Sequence, residues 1–390
     1  MYNYIPLEQA ADILDSYRKP VNSKERLNLN KGKPLDELFP YYGATGQVGW
    51  IDSFLTDGEY ILLGEDGAPF LNPYAEKAYI IHGKTWVNNH AHILRSKTNN
   101  EFLCYYLNYF NYKKYVSGTT RLKLTQAQMR KIPIPNIPSD EQSRIVARIE
   151  ELFSKLDKAV DTLKTTKEQL EVYRQAVLKD AFQEKENIIR LGDAIEKPRY
   201  GTSKKCDYPC TANSTAVLRI PNIDTKNGRV DSSDLKYAEF NEKELEQLSL
   251  KNGDLLIIRS NGSISLVGSS AIIRKCDTDK TYAGYLMRLR ILNKEKLLPK
   301  YLLYYLSSPD ARRYIESVAK STSGVNNINS QEISKLCVPL SSIEKQEKTV
   351  AEIEMKLSVY HEIEKSVDTV LVQADAMRQS ILKQAFEGAL

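Results

Sequence analysis

Sliding the sequence along itself by 204 residues lays 124–186 on 328–390 without a gap, and this repeat limits the possible folds more than any other feature. The match is densest where RQAVLKDAF (Arg174–Phe182) meets RQSILKQAF (Arg378–Phe386), with six identities in nine. Upstream it holds at Lys131/Lys335, Pro135/Pro339, Gln142/Gln346, Val146/Val350, Ile149/Ile353 and Glu150/Glu354. A second patch matches at offset 199: FLCYYL (Phe102–Leu107) against YLLYYL (Tyr301–Leu306). Patches kept in order while the offset shifts are what an indel between duplicated units leaves. The chain reads as a tandem duplication of roughly 190 residues.

Each copy ends in a helical pattern. Ser139 with Gln142 offers a capping box, and Ile145, Ile149, Leu152, Leu156, Ala159, Leu163, Leu170, Tyr173 and Val177 then recur at three and four residues. Ser341 with Glu344 offers the same start in the second copy, followed by Val350, Ile353, Leu357, Tyr360, Val367, Leu371 and Ala374. About 45 residues at the helical rise span roughly 65–70 Å. Helices of that length with one apolar face are not stable alone, so the pattern predicts that the two pair with each other, antiparallel.

The stretches before the helices read as mixed α/β globules. Short β-type runs (YILL, AYII, DLLIIRS, SSAII, YLMRLRIL) alternate with turn clusters such as YYGATG, GEDGAP, RSNGS and STSGVNNINS. The expected fold class is α/β (α+β): two similar globules, 1–138 and 188–340, two helices, 139–187 and 341–390, and a pseudo-twofold internal repeat. No run approaches 18 apolar residues, and the first residues, MYNYIPLEQAADILD, show no signal core. Five scattered cysteines argue against a disulfide framework. A cytoplasmic protein is expected, with no membrane association.

The net charge of +5 is unevenly placed. Residues 140–185 carry −1 and residues 343–387 carry −3, which leaves +9 on the globules. Basic globules joined by slightly acidic helices point to an anionic partner.

Catalytic patterns are absent: the four histidines stand outside any HExxH, and neither GxSxG nor a P-loop occurs. His90 and His92 lie in an apparent strand, VNNHAHIL, with no carboxylate or thiol near in sequence to complete a metal site. Cys206 and Cys210 have no second pair. Asn72-Pro73-Tyr74 lacks the second proline of an adenine-methyltransferase motif and reads as a turn. No metal site is expected.

The polar loops carry more. In the first globule, YRKPVNSKER offers Arg18, Lys19, Lys24 and Arg26, and YYGATG offers Tyr41, Tyr42 and Thr45. Lys113 and Lys114 precede SGTTRLKLTQAQMRK, which holds Thr119, Thr120, Arg121 and Lys123. In the second, PRYGTSKK offers Arg199, Tyr200, Thr202, Ser203, Lys204 and Lys205. RSNGS adds Arg259, Ser260 and Asn261, and STSGVNNINS adds Ser321, Asn326 and Asn327. Phosphates call for cations and hydroxyls, base edges for Arg, Asn, Gln, Ser and Thr. Recurrence of such loops ahead of both helices makes them the candidate DNA-binding residues.

This layout resembles the specificity subunits of type I restriction–modification systems. The resemblance covers the whole chain and rests on Pro40–Phe70 (PYYGATGQVGWIDSFLTDGEYILLGEDGAPF), Leu124–Asp157 (LTQAQMRKIPIPNIPSDEQSRIVARIEELFSKLD), RQAVLKDAF and their second copies. In the second half it includes KPRYGTSKK (Lys197–Lys205), IPNI (Ile220–Ile223) and GDLLIIRSNGS (Gly253–Ser263). One departure is Cys337 in KLCVPL, where the first copy has Pro133. The resemblance implies a non-catalytic subunit in which each globule is a target-recognition domain reading one half of a bipartite double-stranded DNA target. It implies that the helices set the spacing, and that they dock two modification (methyltransferase) subunits, with restriction/translocase subunits joining. Ile149, Leu152, Leu156, Leu163 and Leu170 on one helix, with Ile353, Leu357, Tyr360, Val367 and Leu371 on the other, would serve pairing and docking. This chain would hold no cofactor; S-adenosylmethionine, ATP and Mg would sit on partner subunits.

Two other classes remain at this stage. A fused modification methyltransferase is disfavoured by the missing cofactor loop. A coiled-coil scaffold without DNA specificity is disfavoured by the charge partition. Salt-dependent binding to duplex DNA separates them.

Overall fold

The computed structural model describes residues 3–184, 187–208, 211, 213–322 and 324–388. They divide into two units, one of residues 1–165 with 367–390 and one of residues 166–366.

In the first unit the run YILLG is buried at every residue, which a strand achieves only between two layers. Tyr60–Gly64 accordingly lies inside an antiparallel sheet ordered Ala11–Ile13, Ala91–Ser96, Tyr60–Gly64, Ala78–Ile81. Alternation sends Ile61 and Leu63 to a core shared with helix Asn100–Tyr109, and Tyr60 and Leu62 to a second core. A second sheet runs Gly46–Ile51, Phe39–Gly43, Lys84–Val87, Thr56–Asp57, with the middle pair parallel.

The second unit repeats the plan. Leu255–Ile258 lies between Leu286–Leu289 and Ser270–Ile272, with Arg199–Tyr200 on the far side of Leu286–Leu289. Leu255 and Ile257 enter one core, Leu256 and Ile258 the other. Its second sheet, Lys236–Glu239, Ser214–Leu218, Thr281–Tyr282, again contains one parallel pair. A two-stranded ribbon recurs as well: Tyr4–Pro6 on Pro133–Pro135, and Ile188–Arg190 on Cys337–Pro339. The mixed α/β architecture with an internal repeat is the one the sequence predicts.

The long helices are Ser139–Ala181 and Ile343–Glu387, and each contributes to both units. In the first unit Val146 and Ile149 share a core with Leu382, Ala385 and Phe386. In the second, Val177 and Leu178 share one with Val350, Ile353 and Leu357. The pairing is antiparallel in each. Arg378 meets Asp157 and stacks over Phe153 (4.9 Å) in the first, while Tyr360 donates to Glu171 (2.8 Å) and Lys345 pairs with Glu184 (2.8 Å) in the second. The repeated phenylalanines thereby exchange places. Phe386 of the second copy meets Phe102 and Tyr106 of the first edge-on, at 5.4 and 5.2 Å. Phe182 of the first copy meets Tyr301 and Tyr305 of the second, at 5.1 and 5.2 Å.

Three local expectations are corrected. Ala159 and Tyr173, placed on the seam, are exposed, and Val160 and Arg174 are half-buried instead. A straight 3.6-residue helix drifts about 20° per heptad from a 3.5 period. The expected caps shift: Ser139 is itself the first helical residue, and in the second copy Ser342, not Ser341, accepts from a first-turn amide, that of Lys345 (3.3 Å). Buried Gln142 donates to the Ile137 carbonyl (2.8 Å) and accepts from the Thr98 hydroxyl (2.9 Å). Buried Gln346 donates to Ser341 and Lys296 carbonyls (2.9 and 2.8 Å), since a buried amide must be satisfied inward. Finally, residues 23–29, read as loop, form a helix whose N-cap Asn22 accepts from the Glu25 amide.

Candidate nucleic-acid interface

Past Gly64 the first unit's buried strand ends in a turn, Glu65–Gly67, against which the hairpin 117–124 is laid. The Gly67 amide donates to Leu122 (3.0 Å) and the Leu124 amide to Glu65 (2.8 Å), while Ser117 and Lys123 close the hairpin with two backbone bonds. Gly118 has φ +98°, and a Cβ there would lie 2.4 Å from the Arg121 carbonyl, so the tip requires glycine. Thr119, Thr120, Arg121 and Lys123 are exposed on it; Arg121 pairs with Asp66 (2.7 Å) and Lys123 with Glu65 (3.4 Å). The turn bearing exposed Thr45 borders the same place, because a Cβ on Gly64 would lie 3.0 Å from the Ala44 carbonyl.

A buried polar network fixes this loop pair from below. His92 is held between two oxygens, Asp15 at Nδ1 (2.7 Å) and the Leu124 carbonyl at Nε2 (2.9 Å), so both ring nitrogens are engaged within the protein. Burial works against the charge on Asp15, yet hydrogen bonds with His92, the Ile93 amide and Gln126 hold its carboxyl below the ordinary value. Arg18 points into the same network, pairing with Asp15 (3.1 Å) and Glu65 (2.5 Å) and donating to Ala91 (3.1 Å). His90, outside the strand, is 42% exposed at its side chain beside Asp66, so the two imidazoles do not share a face.

The remaining first-unit candidates lie apart from these bonds. Arg26 stacks over buried Tyr41 (4.4 Å), whose hydroxyl donates to Val21 (3.1 Å). Half-buried Tyr42 packs on Tyr79 at 5.9 Å, and burial raises its hydroxyl pKa. Lys19, Lys24, Lys113 and Lys114 are exposed.

The second unit builds the same loop pair from other side chains. After Leu255–Ile258, Ser260–Asn261 pairs with Val325–Asn327, which pairs with Lys320–Thr322, the strand that holds Ser321. Asn326 donates to the Gly262 carbonyl (2.9 Å). Arg259 donates to the Gly284 carbonyl (3.1 Å) and stacks over Tyr200 (4.4 Å), whose hydroxyl accepts from the Ser330 amide (2.9 Å). Gly284 in turn donates to Thr202 (2.6 Å). Among the described residues, buried Arg259 Nε and Asn327 Oδ1 have no hydrogen-bond partner, a donor and an acceptor left unspent among loops. Arg199 is drawn to Gln247 (2.7 Å), Lys204 to Glu244 (2.7 Å), and exposed Lys205 to Asp207 (3.2 Å); Ser203 is exposed.

Sequence reasoning missed Glu65 and Asp66, which organise the first loop pair, and Tyr285, 62% exposed with its carbonyl on the Arg259 amide (2.9 Å). The GEDG and AGY turns were their only signals. Asn72–Tyr74 is a turn in which Asn72 Oδ1 accepts from the Tyr74 amide (3.0 Å). Cys206 is half-buried, while Cys210 lies outside the described residues. Among the described residues no three His, Cys, Asp or Glu side chains are placed to hold a metal, and no helix is long and apolar enough to cross a membrane.

Comparisons with known proteins agree on one family. Residues 8–172 match the type I restriction modification DNA specificity domain. The chain is 29% identical over 316 residues to the putative type I restriction enzyme specificity subunit S.HindORF215P of Haemophilus influenzae, spanning 77% of this chain and 74% of that one. It is 28% identical over 289 residues to the EcoKI specificity subunit of Escherichia coli, spanning 70% and 61% respectively. In fold it is similar to a chain from a type I R-M system solved for its assembly and conformational transition, at TM-score 0.71 and 17% identity, covering 100% and 98% of the two chains. The HsdS subunit from Thermoanaerobacter tengcongensis is similar at TM-score 0.53 and 16% identity, covering 100% and 97%.

Proposed function

The chain belongs to the family of type I restriction–modification specificity subunits, and we propose that its two units each read one half of a bipartite double-stranded DNA target. One observation carries this reading. A single scaffold, a buried strand whose exit is paired to a hairpin, occurs twice with different polar side chains on it. Thr119, Thr120, Arg121 and Lys123 on one copy, and Arg259, Asn261, Asn326 and Asn327 on the other, would select different sequences from equivalent positions. The chain supplies specificity and no chemistry; methyl transfer, with S-adenosylmethionine, and ATP- and Mg-dependent steps belong to partner subunits.

Partner docking fits the long helices. In the second unit Met355, Val359 and Ile363 are exposed at four-residue spacing, one apolar stripe clear of the buried Ile353, Leu357 and Tyr360. An exposed apolar stripe suits a modification subunit.

Selection from random duplexes with the chain in complex with its modification subunits tests the DNA reading. Two short blocks at a fixed gap are expected, and Asn326→Ala with Asn327→Ala should relax one block, at about 1–3 kcal/mol per lost base contact. A single block, or relaxation of both, overturns it.

A further inference from the structure

The two copies differ sharply at one equivalent place. The Leu7 amide donates to Ile132 and the Leu191 amide to Leu336, both at 2.8 Å, which aligns the neighbouring residues of the two units. In the first unit the next positions are Glu8 and Arg130, closed over each other as an ion pair (3.4 Å). In the second they are Gly192 and Ser334. A Cβ on Gly192 would lie 2.9 Å from the Ser334 Cβ, so neither partner of the pair is retained and the backbones approach closely. What opens there is a groove of about 510 Å³, reaching Arg190, Lys197 and Lys335.

All three cations are exposed, and none is in an ion pair among the described residues; Asp193 is the one carboxylate in the lining. The ribbon register sets Arg190 where the first unit has Pro6. Ser330 and Gln331 form the side towards the recognition loops, and the Ser330 amide bonds to the Tyr200 hydroxyl (2.9 Å). We propose that this groove holds phosphodiester groups of the duplex flanking the half-site read by the second unit, a contact the first unit lacks. The proposal rests on the DNA reading above. Three unpaired cations around one carboxylate favour an anion, and continuity with Tyr200 puts that anion beside the recognised bases.

The test is the salt dependence of target binding by the chain with its modification subunits, for wild type and for Arg190→Gln/Lys197→Gln/Lys335→Gln. About 0.9 of the logarithmic salt slope is lost per phosphate contact, so the triple variant should lose between about two and three. The selected sequence should stay unchanged. Phosphate ethylation should weaken wild type at a cluster beside the second half-site and leave the triple variant unaffected there. A second variant, Lys197→Glu/Lys335→Glu, reverses the charge at two exposed lining positions and should lose the same ethylation cluster. An unchanged slope in a triple variant that still binds its target overturns the groove while leaving the DNA reading intact. No salt-dependent binding by wild type overturns both. Inorganic phosphate that competes with duplex beyond its ionic strength, in wild type alone, assigns the groove to free phosphate and also overturns the proposal.

Discussion

Lys77 is 2% exposed, and among the described residues its ammonium meets the carbonyls of Pro73 (3.2 Å) and Asn108 (3.3 Å). Burial pushes its pKa down to about 8. Below that pH the amine is charged in folded and unfolded chain alike, and the folded state bears the cost of burying it. Between about 8 and the ordinary 10.5 the unfolded chain still holds a proton that the folded chain has released, so stability rises with pH across this window. Lys77→Met should therefore stabilise the protein at pH 7 by about 1–2 kcal/mol, after two lost hydrogen bonds; because the wild type gains about 3 kcal/mol as its lysine deprotonates, the advantage should vanish near pH 9 and reverse towards pH 10.5. Calorimetric melts at the two pH values check it. At this scale the sequence was a partial guide. A cation in a polar run looks the same whether it faces solvent, as Lys24 does, or a carboxylate 47 residues away, as Arg18 does. Side-chain type was legible; direction was fixed by partners distant in sequence.

The long helices show the same division between elements. Their existence, length and apolar faces follow from spacing, and so does their pairing. The destination of the two RQ-x-x-LK-x-AF segments does not, because six of nine residues are identical and nothing in the segments tells the two sockets apart. Antiparallel direction decides, by carrying each segment to the other copy's globule. Phe386→Ala should thus destabilise the first unit by about 3–5 kcal/mol, and Phe182→Ala the second, both side chains being buried. Limited proteolysis is the measurement: cleavage should rise in the unit that lost its phenylalanine, and an effect confined to the opposite unit would contradict the exchange.

At the scale of the whole molecule, the proposed reading ties the gap between half-sites to the same helices. The division between units cuts both, after Thr165 and after Ser366, so a longer ruler needs insertions in both. Four residues added at each point lengthen the pair by roughly 6 Å and keep nearly the same face. Genome-wide methylation mapping should show the gap between half-sites grown by one or two base pairs, with both half-sequences unchanged. A fragment ending at residue 187 carries one socket, around Phe102 and Tyr106, and one plug, Phe182. The plug stands about 50 Å along the helix from Ile149, out of its own socket's reach. Two copies should therefore exchange plugs, and sedimentation should find a dimer that Phe182→Ala dissociates. The exchange also has a meaning in time. Phe386 follows Phe102 by 284 residues, so at about 5–20 residues per second the first socket waits on the ribosome for roughly 15–60 s. Throughout that interval a growing chain exposes apolar surface and cannot complete its first unit. Under the proposed reading, competence to read DNA waits for the second long helix, which makes synthesis itself a safeguard against half-built readers.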